Sequence, residues 1–346
     1  MAADDMGLPI QFAPLNIPFK RRLETLSAAS WIYSLAFAGF TCGLLTLYLI
    51  LYTRLRWVAI LYLIWIVKDR HTCDSGGRRS SYVRGWEWWM YFRNYFPIRL
   101  HRLPWNEFDT KKNYLFCCFP HGIIPAGGFS VFATEQGEFE DYFPGLKPWL
   151  CVLEQHLHTP FFREILLSLG CVSPSAKSLD HLLSKPGGGN AVGLVVGGVA
   201  EAYLCNPGQY KLVLRNRKGF IRIALKNGSP LVPVFSFGET DLFRQVQGTE
   251  DSWLKRAQES VRKVIGTAPI IILGRGFLQY SFGILPHRRP VNVVVGHPIP
   301  VEKTENPTPS QVDDLHNKFI EELTKLFETQ KTTYLKNAEN IHLEFV

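Results

Sequence analysis

The 346 residues could form one large domain or two smaller ones around a substantial core. With 38 Lys and Arg against 30 Asp and Glu, the chain carries +8 and favours an anionic partner such as an acidic membrane surface or a polyphosphate like coenzyme A. No basic block interleaves with aromatics as a single-strand binder requires, which argues against nucleic acid, and seven cysteines without CxxC spacing suggest neither a zinc site nor a disulfide framework.

In chain order, the first feature is a charge-free run from Ala28 to Tyr52, long enough to cross a ~30 Å hydrocarbon core. It begins too late and runs too long for a cleaved signal peptide. After Arg54 and Arg56, the apolar run from Trp57 to Val67 is too short to span at ~1.5 Å per residue. Basic residues flank both outer ends: Lys20, Arg21 and Arg22 before, and Arg70, Arg78, Arg79 and Arg84 after. The positive-inside rule therefore predicts a re-entrant hairpin with both flanks in the cytosol. Residues 1–27 are read as a cytosolic segment, 28–67 as the membrane hairpin, and 68–346 as a cytosol-facing catalytic-size domain. The aromatic stretch Trp86 to Phe96 reads either as a core-packing helix or as one lying on the bilayer.

Beyond Leu100 the pattern alternates between strand and helix, the mark of an α/β layer fold. Strands are predicted at Tyr114 to Phe119, Val192 to Val196, Lys211 to Leu214, Leu231 to Phe237, Ile270 to Leu273 and Val291 to Val295. Helices are predicted at Pro160 to Leu169, Ser178 to Ser184, Gly219 to Lys226, Ser252 to Ile265 and Ser310 to Gln330, the last capped by Ser310. Asn227-Gly228-Ser229 matches a glycosylation sequon but reads as a helix-to-strand turn.

His121 follows the first of these strands on a Pro-His-Gly turn, where α/β proteins place ligands; it is a proton acceptor or simply a polar turn residue. Glu201, just past Gly197-Gly198, is either a buried carboxylate partnering His121 or a helix-start acid placed for the dipole. Arg215, Arg217 and Lys218 precede a predicted helix and suit phosphate recognition or a solvated corner. Gly187-Gly188-Gly189 lacks the Lys-Ser/Thr of a Walker loop and reads as a turn. His156 and His158 are poorly spaced for a metal, and Cys117 and Cys118 lie inside a strand, where free cysteines are inert.

Across nearly the whole chain, ordered blocks resemble the type-2 diacylglycerol acyltransferase and monoacylglycerol acyltransferase family. They include FAPLNIPFKRRLETL, GGRRS, RNYFPIRL, FPHG at 119 to 122, VVGGVAEA at 195 to 202, LRNRKGFIRIAL, LVPVFSFGE, GRGFLQYSFGILP and VVGHPIPV. The resemblance implies a glycerolipid-acyltransferase-like mixed sheet flanked by helices behind a membrane hairpin. It also implies fatty acyl transfer from acyl-CoA to diacylglycerol or monoacylglycerol, in the endoplasmic reticulum membrane and on lipid droplets, with no cofactor and with the bilayer as partner; a homo-oligomer is compatible with it.

It further implies His121 as catalytic base. Phe119 replaces the family's usual first histidine, and Ala126 stands where the related glycerolipid phosphate acyltransferases carry the Asp of a His-x4-Asp pair, so Glu201 is the expected substitute. The expected substrate-contacting set is Phe119, Pro120, Gly122, Gly197, Gly198, Arg217, Lys218, Gly219, Phe220 and Glu239. A wax-ester or retinyl-ester synthase would use the same site on a long-chain alcohol, whereas a silent lipid-binding protein would be marked by substitution of both His121 and Glu201, and neither is lost.

Overall fold

The computed structural model describes residues 10–104, 108–245 and 271–346. Seven strands form a mixed sheet: β1 (Ile98–Arg102), β2 (Tyr114–Phe119), β3 (Lys147–Cys151), β4 (Cys171–Val172), β5 (Asn190–Val195), β7 (Leu231–Phe237) and β10 (Val291–Val295), in the order β1-β10-β7-β2-β5-β3-β4. Short strands β6 (Tyr210–Leu212) and β11 (Leu343–Phe345) pair with each other, as do β8 (Arg244–Gln245) and β9 (Ile272–Leu273). Neighbours in the large sheet run parallel except β10 against β7. The carboxyl ends of β3, β5, β2 and β7 therefore open on one edge, where parallel sheets bind ligands.

β2, central and buried along its whole length, divides its side chains between two layers. Phe116 and Cys118 face a cluster with Trp89, Phe92, Phe129 and Phe132, whereas Leu115, Cys117 and Phe119 face a cluster with Phe319 and Phe327 of the C-terminal helix. That is the two-residue period of a strand buried on both faces.

The N-terminal helices are packed into the domain as well as apolar. Helix α1 (Phe19–Tyr52) is continuous for 34 residues, about 51 Å at 1.5 Å per residue, so the boundary expected at Ala28 falls inside it. It is the single described helix long and apolar enough to cross a membrane. Its burial is uneven. Glu24, Ser27, Ala28, Trp31 and Ile32 are covered by the domain, while Phe40, Leu44, Leu47, Tyr48 and Leu51 are exposed. Ser27 Oγ donates to the Trp88 carbonyl (2.8 Å), and Trp31 stacks on Phe129 at 4.0 Å and meets Trp89 edge-on at 5.4 Å. The helix Glu87–Tyr95, left open above between core and bilayer surface, thus buries Trp89, Phe92 and Tyr95 as core. Helix α2 (Arg56–Lys68) folds back on α1.

The predicted bounds of β2, β7 and β10 match those observed, and the helix Gly219–Asn227 ends at Gly228 in the left-handed conformation, the turn that the sequon resembles. The C-terminal helix Pro309–Tyr334 starts one residue earlier than predicted. Pro309 takes the first helical position, and Thr308, not Ser310, is the cap, locked by a reciprocal box with Gln311. The predicted helix Ser252 to Ile265 lies outside the described residues, as does Ile270 of the predicted strand Ile270 to Leu273.

Candidate active site

Three adjacent strand ends converge on one loop. β2 lies between β5 and β7, and the loop that leaves it carries His121, Gly122, Ala126 and Gly127. From the β5 side Glu201 reaches it, and from the β7 side Glu239. Both carboxylates are buried, at 1% exposure each, and both accept backbone amides instead of contacting solvent.

Glu201 Oε1 accepts the His121 backbone N–H at 2.6 Å, and Oε2 accepts the Val213 N–H at 3.1 Å. The two residues do meet, but at the backbone: the carboxylate holds the turn, not the imidazole. Glu239 Oε1 and Oε2 accept the N–H groups of Ala126 (2.7 Å) and Gly127 (3.0 Å). The loop is gripped at both ends by buried acids. Such acids cost free energy to desolvate unless several donors meet them, and each has two. Burial pushes the Glu201 carboxyl up to about 7, against the pull of the His121 and Val213 amides and of Arg217. Burial likewise pushes Glu239 up to about 8, against the Gly127 and Ala126 amides.

Glycines make this grip sterically feasible. The Glu201 carboxylate curls back over Gly197, where an added Cβ would overlap Oε2. Gly122 has φ +63 and lies against Glu239, with 3.0 Å between its hypothetical Cβ and Glu239 Cγ.

The imidazole of His121 has another orienting partner. Its Nδ1 lies 3.0 Å from the Gly122 carbonyl oxygen, and a carbonyl only accepts. Nδ1 therefore carries the proton and donates, which leaves Nε2 with a free lone pair. Burial lowers the His121 pKa, partly opposed by this hydrogen bond, so the ring is neutral at physiological pH and able to take a proton. The carbonyl does for the tautomer what a carboxylate does in a triad.

His121 lines a cavity of about 760 Å³, within the range of small-molecule sites. Trp31, Ile32, Leu35 and Ala36 of α1 form one wall, and Arg217, Lys218, Gly219 and Phe220 line it too, with Gly198. Among the residues expected to touch substrate, Phe119, Pro120, Gly122, Gly197 and Glu239 lie outside this lining. Phe119 points the other way, into the core against Phe319, because it occupies the opposite face of β2. Lys218 Nζ is paired with Asp313 Oδ1 at 2.7 Å, whereas Arg217 is exposed and makes no ion pair with a described carboxylate. Cys117 and Cys118 are fully enclosed, burial raises both thiols, and neither is a nucleophile. Among the described residues no three His, Cys, Asp or Glu side chains gather as a metal site, His156 and His158 included.

Sequence reading missed the α1 wall. Positions 31, 32, 35 and 36 do share one helix face, but between Ala28 and Tyr52 no charged residue marks the opposite face.

A family described as diacylglycerol acyltransferase matches residues 48–345. The chain is 45% identical to 2-acylglycerol O-acyltransferase 1 of Bos taurus, over 94% of this chain and 97% of that one. It is 42% identical to diacylglycerol O-acyltransferase 2 of Homo sapiens, over 91% and 81%. A crystal structure of the 1-acyl-sn-glycerophosphate acyltransferase PlsC from Thermotoga maritima overlays 88% of this chain and 97% of its own, with TM-score 0.38 and 11% identity.

Proposed function

Because the chain belongs to the diacylglycerol acyltransferase family, we propose that it transfers a fatty acyl group from acyl-CoA to the free hydroxyl of diacylglycerol, making triacylglycerol. The carrying observation is the setting of His121: an imidazole with Nε2 free, in a cavity that joins the cations at 217 and 218 to the apolar face of α1. Acyl-CoA brings its phosphates to Arg217 and Lys218, and the acylglycerol approaches from the bilayer side along α1. His121 Nε2 takes the hydroxyl proton as the oxygen attacks the thioester carbonyl, and the same proton then serves the departing thiolate. Nδ1 stays hydrogen-bonded to the Gly122 carbonyl, which stabilises the imidazolium. Glu201 and Glu239 act as positioning residues by fixing the loop that carries the base. Gly198 borders the cavity and Gly122 does not, so the Gly198 backbone is the better-placed oxyanion donor.

Purified full-length protein in detergent, given radiolabelled oleoyl-CoA and diacylglycerol, should form triacylglycerol, and His121→Ala should lose roughly 10²–10⁴-fold in rate, the usual worth of a general base. Full activity in that variant removes His121 from the mechanism. A 2-monoacylglycerol acceptor is the second reading, favoured by the 45% identity to the bovine relative. Competition among monoacylglycerol, diacylglycerol and a long-chain alcohol in one assay separates these acceptors. We further place residues 28–67 in the endoplasmic reticulum membrane as a hairpin, with both basic flanks and the catalytic domain in the cytosol; protease protection of tags at either end tests this.

A further inference from the structure

Two of the ordered sequence blocks, FAPLNIPFKRRLETL and GRGFLQYSFGILP, contribute no residue to the cavity around His121. They meet each other instead. Ala13 N–H donates to the Leu278 carbonyl and Tyr280 N–H to the Gln11 carbonyl, each at 2.8 Å, and Gln11 N–H donates to Ser281 Oγ at 2.9 Å. Between them lies a second cavity of about 880 Å³ that shares no lining residue with the first.

Its chemistry is two-sided. Arg21, Arg22, Arg275, Arg288 and Arg289 line it, with His287 and Tyr280, and among the described residues no carboxylate does. Glu24, just behind, takes Arg288 and sits 3.6 Å from Arg21. The Arg22 guanidinium donates to the carbonyls of Leu15 (2.8 Å) and Ile17 (3.4 Å), Arg275 stacks 4.3 Å over the Tyr280 ring, and neither these two nor Arg289 forms an ion pair with a described acid. Five guanidinium groups against Glu24, with Asp241 also acting electrostatically on Arg289, leave a positive excess fit for a phosphate. The same lining also presents Leu15 at 94%, Phe12 at 70% and Leu278 at 68% exposure, with Phe277 beside them. A water-soluble phosphate has no use for such a rim. A lipid does, and the lining residues run directly into α1, the described helix able to cross a membrane.

We propose that this cavity binds the headgroup of an anionic phospholipid, with its phosphate among the arginines and its acyl chains against Phe12, Leu15, Phe277 and Leu278. The site fixes how the root of α1 sits at the membrane surface and is separate from the acyl-transfer chemistry, so it stands or falls independently of that reading.

The test is the thermal midpoint of the full-length chain in non-ionic detergent, titrated separately with dioctanoyl phosphatidic acid, dioctanoyl phosphatidylcholine and free coenzyme A. Phosphatidic acid should raise the midpoint saturably, and phosphatidylcholine should not. Arg289→Gln should weaken the half-saturating concentration roughly fivefold, and Arg21→Gln with Arg289→Gln roughly 25-fold, at about 1 kcal/mol per surface arginine facing an anionic lipid. Acyl transfer in detergent free of anionic lipid should be unchanged in both, which shows that they fold. An equal response to phosphatidylcholine, an unweakened response in the double variant, or coenzyme A displacing phosphatidic acid with the same arginine dependence would each overturn the proposal.

Discussion

Gly197→Ala isolates the buried carboxylate from every other feature of the site. Gly197 has φ −63 and ψ −30, a conformation that alanine prefers, so backbone strain contributes nothing and the substitution in open space would stabilise by about 0.5–1 kcal/mol. Here, however, the new Cβ lands on Glu201 Oε2, closer than the 3.0 Å that Cβ atoms respect. The carboxylate must leave, and with it the hydrogen bonds from His121 N–H (2.6 Å) and Val213 N–H (3.1 Å). Each bond to a charged acceptor contributes about 1.5–3 kcal/mol, so the net loss is about 2–5 kcal/mol after the backbone gain. The apparent melting temperature in detergent should fall by roughly 3–7 °C, and triacylglycerol formation should fall with it because the His121 turn is released. The decisive measurement is the double-mutant cycle. Once Glu201→Ala has removed the carboxylate, only the Glu201 Cβ remains close to the new methyl, at 2.8 Å, so adding Gly197→Ala should cost much less than it does alone, giving a coupling that is most of the loss of the single variant. Additive losses, or a Gly197→Ala protein with wild-type stability and activity, would refute the steric account.

Other outcomes follow from the same geometry. Glu239, raised to about 8, keeps its proton when folded while the unfolded chain has lost it above about 4.5; the folded state binds more protons, so this group makes stability fall by about 1.4 kcal/mol per pH unit across that window. Glu239→Gln should flatten that slope in melting curves taken from pH 5 to 8.5. His121 has the opposite sign: its lowered pKa makes stability and activity rise with pH up to about the ordinary 6.5, and His121→Asn should remove that acid limb from the stability profile. Trp31→Ala strips α1 from Phe129 and Trp89 and should cost about 3–5 kcal/mol, read as a lower melting temperature together with reduced turnover. Arg217→Gln should raise KM for acyl-CoA several-fold with kcat nearly intact, and Lys218→Gln should do less because Asp313 already holds that ammonium.

Strands made of unbroken apolar runs announced themselves in the sequence, and strands that mix in charged residues or proline did not, whether at the edge of the sheet or inside it. β2, β7 and β10 are continuous apolar runs, and their bounds are legible to the residue. β1 alternates Arg and His with aliphatic residues at the sheet edge, and β3 opens on Lys147-Pro148, a pair that reads as a break; neither run suggests a strand on its own. For the site, His121 and Glu201 were legible as strand-end residues, and two adjacent parallel strands bring their loops together. What spacing does not encode is which atom meets which. That the Glu201 carboxylate takes an amide, and that the Gly122 carbonyl takes the imidazole, depends on the path of a turn only a few residues long. Glu239 was legible as a site residue, but its place beneath the loop follows from β7 lying on the far side of β2, a matter of strand order that no local pattern carries.

Helix α1 has one further consequence. Its first half is a wall of the cavity around His121 and its second half is exposed and apolar, and the two halves are one continuous helix with Gly39 and Gly43 at their junction. A chain trimmed to its water-soluble portion would not be a simpler catalyst: losing Trp31 through Ala36 opens the chamber and leaves Phe129 bare. Engineering a shortened form therefore means replacing this helix with another that carries the same four inward side chains, and any tilt of the outer half reaches the cavity beside His121 through the turns that hold Gly39 and Gly43.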